Sequence, residues 1–171
     1  KIWSAGYQPI SNEKANTQLT YFAHKAVFNR IEENITSTME ITICPNDPVE
    51  IRLIRLHNTD KQLHQLRLTS YGEVILSKQN IDNHHSAFNK LFIETEFIPE
   101  LNLQIFTRRL RSNEENPVFM GHMVVVNEKR EIIHNNRVVY HEADRNRFIG
   151  RGRNIHNPEA LASDQYLTGT S

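Results

Sequence analysis

Ile35-Thr36-Ser37-Thr38-Met39-Glu40-Ile41-Thr42-Ile43 is the stretch on which the fold turns. Ile35, Ser37, Met39, Ile41 and Ile43 alternate with Thr36, Thr38, Glu40 and Thr42. Successive side chains of a strand point to opposite faces, so a period of two gives one face for a core and one for water. The same rhythm continues on the far side of Pro45-Asn46-Asp47-Pro48, where Val49, Ile51 and Leu53 alternate with Glu50 and Arg52. The phase slips at Ile54 and Leu56, which predicts a bulge or a segment buried on both faces. Leu66, Leu68, Ser70, Gly72, Val74 and Leu76 predict one face of a further long strand.

Further strands are expected over residues 19–28, 91–97, 103–109, 118–126 and 137–141, most of them rich in Ile, Val, Thr, Phe or Tyr. Asn58-Thr59-Asp60-Lys61 reads as a second turn between strands. Connections this short join antiparallel neighbours, because parallel strands need a crossover of roughly a dozen residues or more. Two longer connections fall at residues 78–90 and 111–117. Helix is expected only as short turns at residues 86–91 and 158–162, the second starting from Asn157-Pro158 with Pro at the first helical position. The expected fold is all-β: about eight or nine strands in two packed antiparallel sheets, a β-sandwich.

Composition bounds the function. The 171 residues suffice for one domain with its own core, and residues 1–171 are expected to form one. Lys and Arg total 20, matching 20 Asp and Glu. A protein for nucleic acid or an anionic membrane carries a basic surplus, so neither partner is expected. No run approaches the roughly 18 apolar residues of a membrane span. The single cysteine, Cys44, excludes an intrachain disulfide and a multi-cysteine zinc site. Trp3 and Tyr7 stand where a terminus is usually polar and frayed, so the chain is expected to be a piece of a larger protein.

Candidate chemistry is sparse. Glu94 and Glu96 share a strand face, roughly 6.5–7 Å apart by the rise per residue. That spacing falls near the range for inverting glycoside hydrolysis, yet neighbours on one strand look the same way and cannot flank a scissile bond. They read as a charged face, paired with Arg108 or Arg111 on the next strand. The nine histidines have no metal-ligand spacing. Gly150-Arg151-Gly152-Arg153 has phosphate-binding residue types without the spacing of a phosphate loop. It reads first as a turn needing glycine dihedrals, with arginines facing a neighbouring domain. Trp3, Tyr7, Phe88 and Phe92 are candidates for a sugar platform or for core packing.

Four strings in order carry a resemblance: Trp3-Ser4-Ala5-Gly6-Tyr7-Gln8-Pro9, Leu68-Thr69-Ser70-Tyr71-Gly72-Glu73-Val74-Ile75-Leu76, His85-Ser86-Ala87-Phe88-Asn89-Lys90-Leu91-Phe92-Ile93-Glu94-Thr95-Glu96-Phe97, and Asp144-Arg145-Asn146-Arg147-Phe148-Ile149-Gly150-Arg151-Gly152-Arg153. Together they resemble the β-sandwich part of the glycoside hydrolase family 94 module, formerly glycosyltransferase family 36. That module is shared by cyclic β-1,2-glucan synthases and the cellobiose and chitobiose phosphorylases. The resemblance implies a galactose-mutarotase-like supersandwich, of which this chain is a fragment. In that family an (α/α)6 barrel carries the general acid and the phosphate site, so no catalytic residue, cofactor or metal is carried onto this sequence.

What the resemblance implies about function is a non-catalytic sandwich that supports the barrel of a bacterial glucan synthase and contacts β-glucan. The parent would act at the cytoplasmic side of the inner membrane. The alternative is an independent carbohydrate-binding module. Trp3, Tyr7, Glu94 and Glu96 are the substrate-binding candidates. Phe148, Arg151 and Arg153 are the candidates for a domain interface, and the fragment alone is expected to be inactive and able to self-associate.

Overall fold

The structure is a computed structural model and describes residues 1–11, 16–110, 112, 115–125, 140–162 and 168–169. The chain forms two compact units, residues 1–68 with 155–157, and residues 69–154 with 158–171.

The first unit is a four-stranded antiparallel meander: β1 (Asn16–Tyr21), β2 (Ala26–Glu32), β3 (Ile35–Ile43) and β4 (Glu50–Asn58) in sheet order. The alternating stretch around Met39 is β3 in full. Met39 stands opposite Phe28 on one side and Ile54 on the other, and Ser37 lies between Arg30 and Leu56. One face of the sheet therefore carries Phe28, Arg30, Ile35, Ser37, Met39, Ile41 and Ile54. Cys44 N–H donates to the Val49 carbonyl at 2.8 Å and closes the Pro45–Pro48 turn.

Two expectations change here. Residues 19–28 are not one strand but the end of β1, a tight reversal and the start of β2. Phe22 N–H donates to the Lys25 carbonyl at 2.8 Å across that reversal. Its Phe-Ala-His-Lys sequence holds neither Gly nor Pro, so nothing punctuates the apolar run. No bulge interrupts β4 either: its pairing with β3 is continuous from Asn58 to Glu50. The phase slip at Ile54 instead reflects an edge strand with apolar residues on both faces, Leu53 and Leu56 being exposed.

Residues 1–11 cross the apolar face of this sheet. Ser4 and Gly6 are buried there, and a Cβ at Gly6 would meet Met39 Cε at 3.0 Å. The crossing is fastened by Arg30, only 2% exposed. Its guanidinium donates to the Ser4 carbonyl at 3.0 Å and to Glu32 Oε2 at 2.7 Å. Lys1 Nζ pairs with Glu32 Oε1 at 2.5 Å, and the Trp3 ring lies 5.5 Å from the Arg30 guanidinium carbon. The Lys1 ammonium, followed by Arg30, holds the Glu32 carboxyl below its usual range.

Residues 63–76, which run from the end of the first unit into the start of the second, contain no strand. The alternation from Leu66 to Leu76 meets no partner edge among the described residues, and Leu66 and Leu68 are exposed. Period two makes a strand only where another strand completes the ladder. Next come α1 (Gln79–Lys90), far longer than the single turn expected, then β5 (Ile93–Ile98), a 3-10 turn (Pro99–Leu101), β6 (Leu103–Arg108) and β7 (Phe119–Met123). β5, β6 and β7 form an antiparallel three-stranded sheet. β8 (His141–Glu142) pairs in parallel with β9 (Thr168–Gly169), a two-residue departure from the antiparallel expectation. Residues 137–139 of the expected strand lie outside the described residues.

Between them stand α2 (Arg145–Ile149) and α3 (Glu159–Ala162). Asp144 caps α2, accepting from the Asn146 and Arg147 backbone N–H groups, a helix start that the sequence analysis passed over. Phe148, Ile149 and Ala160 are buried, and Phe148 packs 5.1 Å from the Tyr71 ring. Gly150 ends α2 at φ 84°, ψ 156°, a region open essentially to glycine alone. A Cβ at Gly150 would sit 2.6 Å from Glu159 Cβ.

Two stability outcomes are expected. Replacing Arg30 by Ala leaves the buried Glu32 with Lys1 as its one remaining cation and leaves the Ser4 carbonyl without its donor, and costs about 3–5 kcal/mol, whereas Arg30→Met with Glu32→Leu costs less than either single change. Urea unfolding checks both, and an Arg30→Ala loss below about 1 kcal/mol defeats the fastening role. Gly150→Ala meets both strain and overlap and costs upward of about 2 kcal/mol, while Gly152→Ala, at φ 73° with nothing within 4 Å, costs about 1 kcal/mol. Equal losses at the two glycines in thermal unfolding contradict the overlap at Gly150.

Candidate functional site

Strand pairing in the second unit assembles a polar-to-apolar face. Glu94 on β5 stands opposite Thr107 on β6, which stands opposite Phe119 on β7. One step along, Glu96, Ile105 and Gly121 form the next row, and Ile98, Leu103 and Met123 the third. The other face carries Ile93, Thr95 and Phe97 and packs inward, with Phe97 stacked 3.8 Å from the His141 ring. Glu94 and Glu96 are exposed, as are Phe119 at 62% and Met123 at 51%.

Glu94 is held by Arg109. Its Oε1 accepts from Arg109 Nε at 2.9 Å and from a terminal guanidinium nitrogen at 2.6 Å. The expected partners were Arg108 and Arg111. Arg108 stands opposite Ile93 on the inward face and donates to the Leu76 carbonyl at 3.3 Å. Arg111 lies outside the described residues. Arg109 follows the end of β6, and its backbone N–H still donates to the Phe92 carbonyl at 2.8 Å, so the alternation that puts Thr107 on the Glu94 face continues to Arg109. Both carboxylates leave the same face of one strand, so a bond cannot lie between them.

The other candidates are placed separately. Trp3 is half-buried over Arg30, a structural position, while Tyr7 is 56% exposed. Phe148, expected at a domain interface, is buried at 8% because its ring fills the contact with Tyr71. Arg151 is exposed, and Arg153 pairs with Glu159 at 2.7 Å. The glycines serve the turn and the close approach of α2 and α3, as the structural reading held. Phe88 and Phe92 pack edge to face at 5.0 Å. Cys44 lies 3.7 Å from an Asp47 carboxylate oxygen. Among the described residues, no three His, Cys, Asp or Glu side chains gather closely enough to hold a metal ion. His64 pairs with Asp60 at 2.9 Å, and His134 lies outside the described residues. No helix among the described residues is long and apolar enough to cross a membrane.

A second charged cluster surrounds Glu73 in the familiar string of residues 68–76. Lys90 at the end of α1 pairs with one oxygen, and Arg145 at the start of α2 and the Tyr71 hydroxyl meet the other at 3.1 and 2.9 Å. The Lys90 ammonium, more than Arg145 and Tyr71, pulls the Glu73 carboxyl down to about 2. Burial, more than the neighbouring Glu73, pushes the Tyr71 phenol up. The cluster ties the strandless segment to both helices. Sequence patterning could not show it, since Glu73 and Arg145 are 72 residues apart.

Antiparallel sheets joined by few short helices are the architecture of an all-β supersandwich. The chain belongs to the glycosyl hydrolase 94 supersandwich-domain family, which it matches over residues 1–171. The chain is similar to the cyclic beta-(1,2)-glucan synthase NdvB of Rhizobium meliloti (strain 1021), 29% identical over 168 residues. That match covers 98% of this chain and 6% of the relative, so the chain spans a small part of that protein's length.

The Glu73 cluster yields a pH prediction. Its folded pKa lies below the usual 4.5, so the ionised form is the stabilising one. Its contribution is complete above about pH 4.5 and is lost as pH falls toward 2. The side chain is 37% exposed, and after solvent screening the contribution is roughly 1 kcal/mol. Urea midpoints of the wild type and Glu73→Gln should differ at about pH 7 and converge near pH 2. A gap that stays constant across that range excludes the ionised cluster as its source.

Proposed function

We propose that this chain is the non-catalytic supersandwich of a bacterial cyclic β-1,2-glucan synthase, buttressing the helical catalytic barrel of a larger protein. The family match over residues 1–171 and the relative's name support the class of parent. The observation that carries the buttressing role is the apolar margin of the first sheet that residues 1–11 leave uncovered. On the face that holds Met39, the side chains of Leu19, Tyr21, Ile43 and Leu56 are 41, 76, 60 and 39% exposed. A strictly self-contained domain rarely leaves contiguous apolar surface on a sheet face, and such patches mark contact sites. Covering it is the work of the rest of the parent, or of a second copy when the chain is alone. The parent reading places the module at the cytoplasmic side of the inner membrane, with no cofactor of its own.

The experiment has two arms. The isolated chain should neither transfer glucose from a nucleotide sugar nor phosphorolyse β-glucan. Tyr21→Asp with Ile43→Asp should leave the isolated chain's thermal midpoint nearly unchanged, because both side chains already face water. In the full-length parent the same pair should lower the midpoint and the yield of folded protein, because a charge then enters a buried contact. Turnover by the isolated chain, or a parent indifferent to both charges, sinks the reading.

A further inference from the structure

The face of the second sheet that carries Glu94 is shaped for a ligand that is apolar on its flat side and hydroxylated at its rim. Phe119, 62% exposed on edge strand β7, offers an uncovered ring. Beside it Gly121 has no side chain, so the surface dips between Phe119 and Met123. A Cβ at that point would press on Leu103 Cδ1 at 3.3 Å. The floor of the dip is therefore hydrocarbon, from Leu103 and Ile105. The opposite edge, two strand spacings or roughly 10 Å away, is polar.

That polar edge is prepared for hydroxyl groups. Arg109 donates both of its contacts to Glu94 Oε1, which orients the Glu94 carboxylate and, among the described residues, leaves its Oε2 to accept. No partner of Glu96 stands among the described residues. A fixed carboxylate next to a guanidinium offers acceptor and donor side by side, the pairing that adjacent hydroxyls of a sugar require. Among the described residues of this face the Glu94–Arg109 charges cancel, and Glu96 adds one negative charge. Phosphate, sulfate and nucleic acid are repelled, and a neutral ligand pays no charge desolvation. Aromatic rings combine large apolar contact area with a flat geometry that matches the C–H face of a pyranose.

We propose that this face binds a neutral β-linked glucan, one sugar ring stacked on Phe119 and its hydroxyls reaching Glu94 and Arg109. The choice of a glucan rests on the carbohydrate-active reading above, while the location rests on the register and exposure of this sheet alone. The face would hold product or growing chain near the module without acting on it, since its carboxylates cannot flank a bond.

Hydroxyl-radical footprinting on the protein that carries this chain tests the proposal, with linear β-1,2-linked glucose oligomers as the probe. Oxidation of Phe119 and Met123 should fall severalfold when the oligomers are added. Phe119→Ala should abolish the protection at Met123, and Phe119→Tyr should keep it. Arg109→Met should raise the half-protecting sugar concentration about tenfold, the equilibrium effect of losing one oriented charge-assisted contact. Three results overturn the proposal: no protection at saturating sugar, protection that survives Phe119→Ala, or Phe119 and Met123 already shielded before sugar is added. The last would mean that another part of the protein covers the face. None of these touches the buttressing role, which stands on the other sheet and on Tyr21 and Ile43.

Discussion

Strand β3 is paired along both of its edges, with seven residue pairs to β2 and nine to β4. That double pairing constrains everything around it. A shift of one residue on either side would turn Met39, Ile41 and Ile35 toward water and bring Thr38 and Glu40 inward. It would also displace Arg30 from the face that residues 1–11 cross. The buried guanidinium is tolerable only because Ser4 and Glu32 saturate it in this register. Packing and electrostatics thus select the same alignment, and a slipped meander loses both at once.

Legibility followed the reach of the interactions. The strand β3, the turn at Pro45–Pro48 and the strands β5 and β6 are encoded by residues within a few positions of each other, and period two exposed them. The reversal at Phe22–Lys25 was hidden because its backbone hydrogen bond needs no special residue. The stretch from Leu66 to Leu76 misled for the opposite reason: its pattern is local, but a strand is not, and no edge is available to it. Helix α2 had a legible start in Asp144 and a legible stop in Gly150, yet its five residues fall below the length at which periodicity speaks. The site behaved in the same way. Glu94 and Glu96 stood out by spacing, whereas Thr107, Phe119 and Gly121 joined them only through cross-strand register. Arg108 was preferred to Arg109 because only the cross-strand register, Glu94 opposite Thr107, shows that the odd-numbered residues of β6 share the Glu94 face.

The two glutamates illustrate how little a catalytic-looking distance means without direction. Glycoside chemistry needs an acid and a second carboxylate on opposite sides of the bond being broken. A single strand supplies parallel side chains, and here one of the two is oriented by an arginine. Such a pair can recognise, because recognition asks only for donors and acceptors at a fixed surface. It cannot push and pull on one glycosidic oxygen.

How the first sheet meets a neighbour is further narrowed by its edges. An unpaired edge strand is a template for another strand, and proteins blunt it with charge. The edge strand β4 carries Arg52 paired to Glu50 at 2.5 Å, and its Arg55 reaches Glu40 on β3. Adding a strand there would bury these pairs or break them, and either outcome costs more than exposed ion pairs return. The opposite edge, β1, is mostly polar and short at six residues. The faces lack this protection: Tyr21, Leu19 and Ile43 stand open on one of them. Association through the face removes apolar area from water at about 25 cal/mol for each Å² covered, and among the described residues only the exposed Arg52–Glu50 pair, opposite Ile41 and Ile43, borders it with charge. The sheet is therefore built to be packed against rather than extended, which is how one layer of a sandwich takes its second.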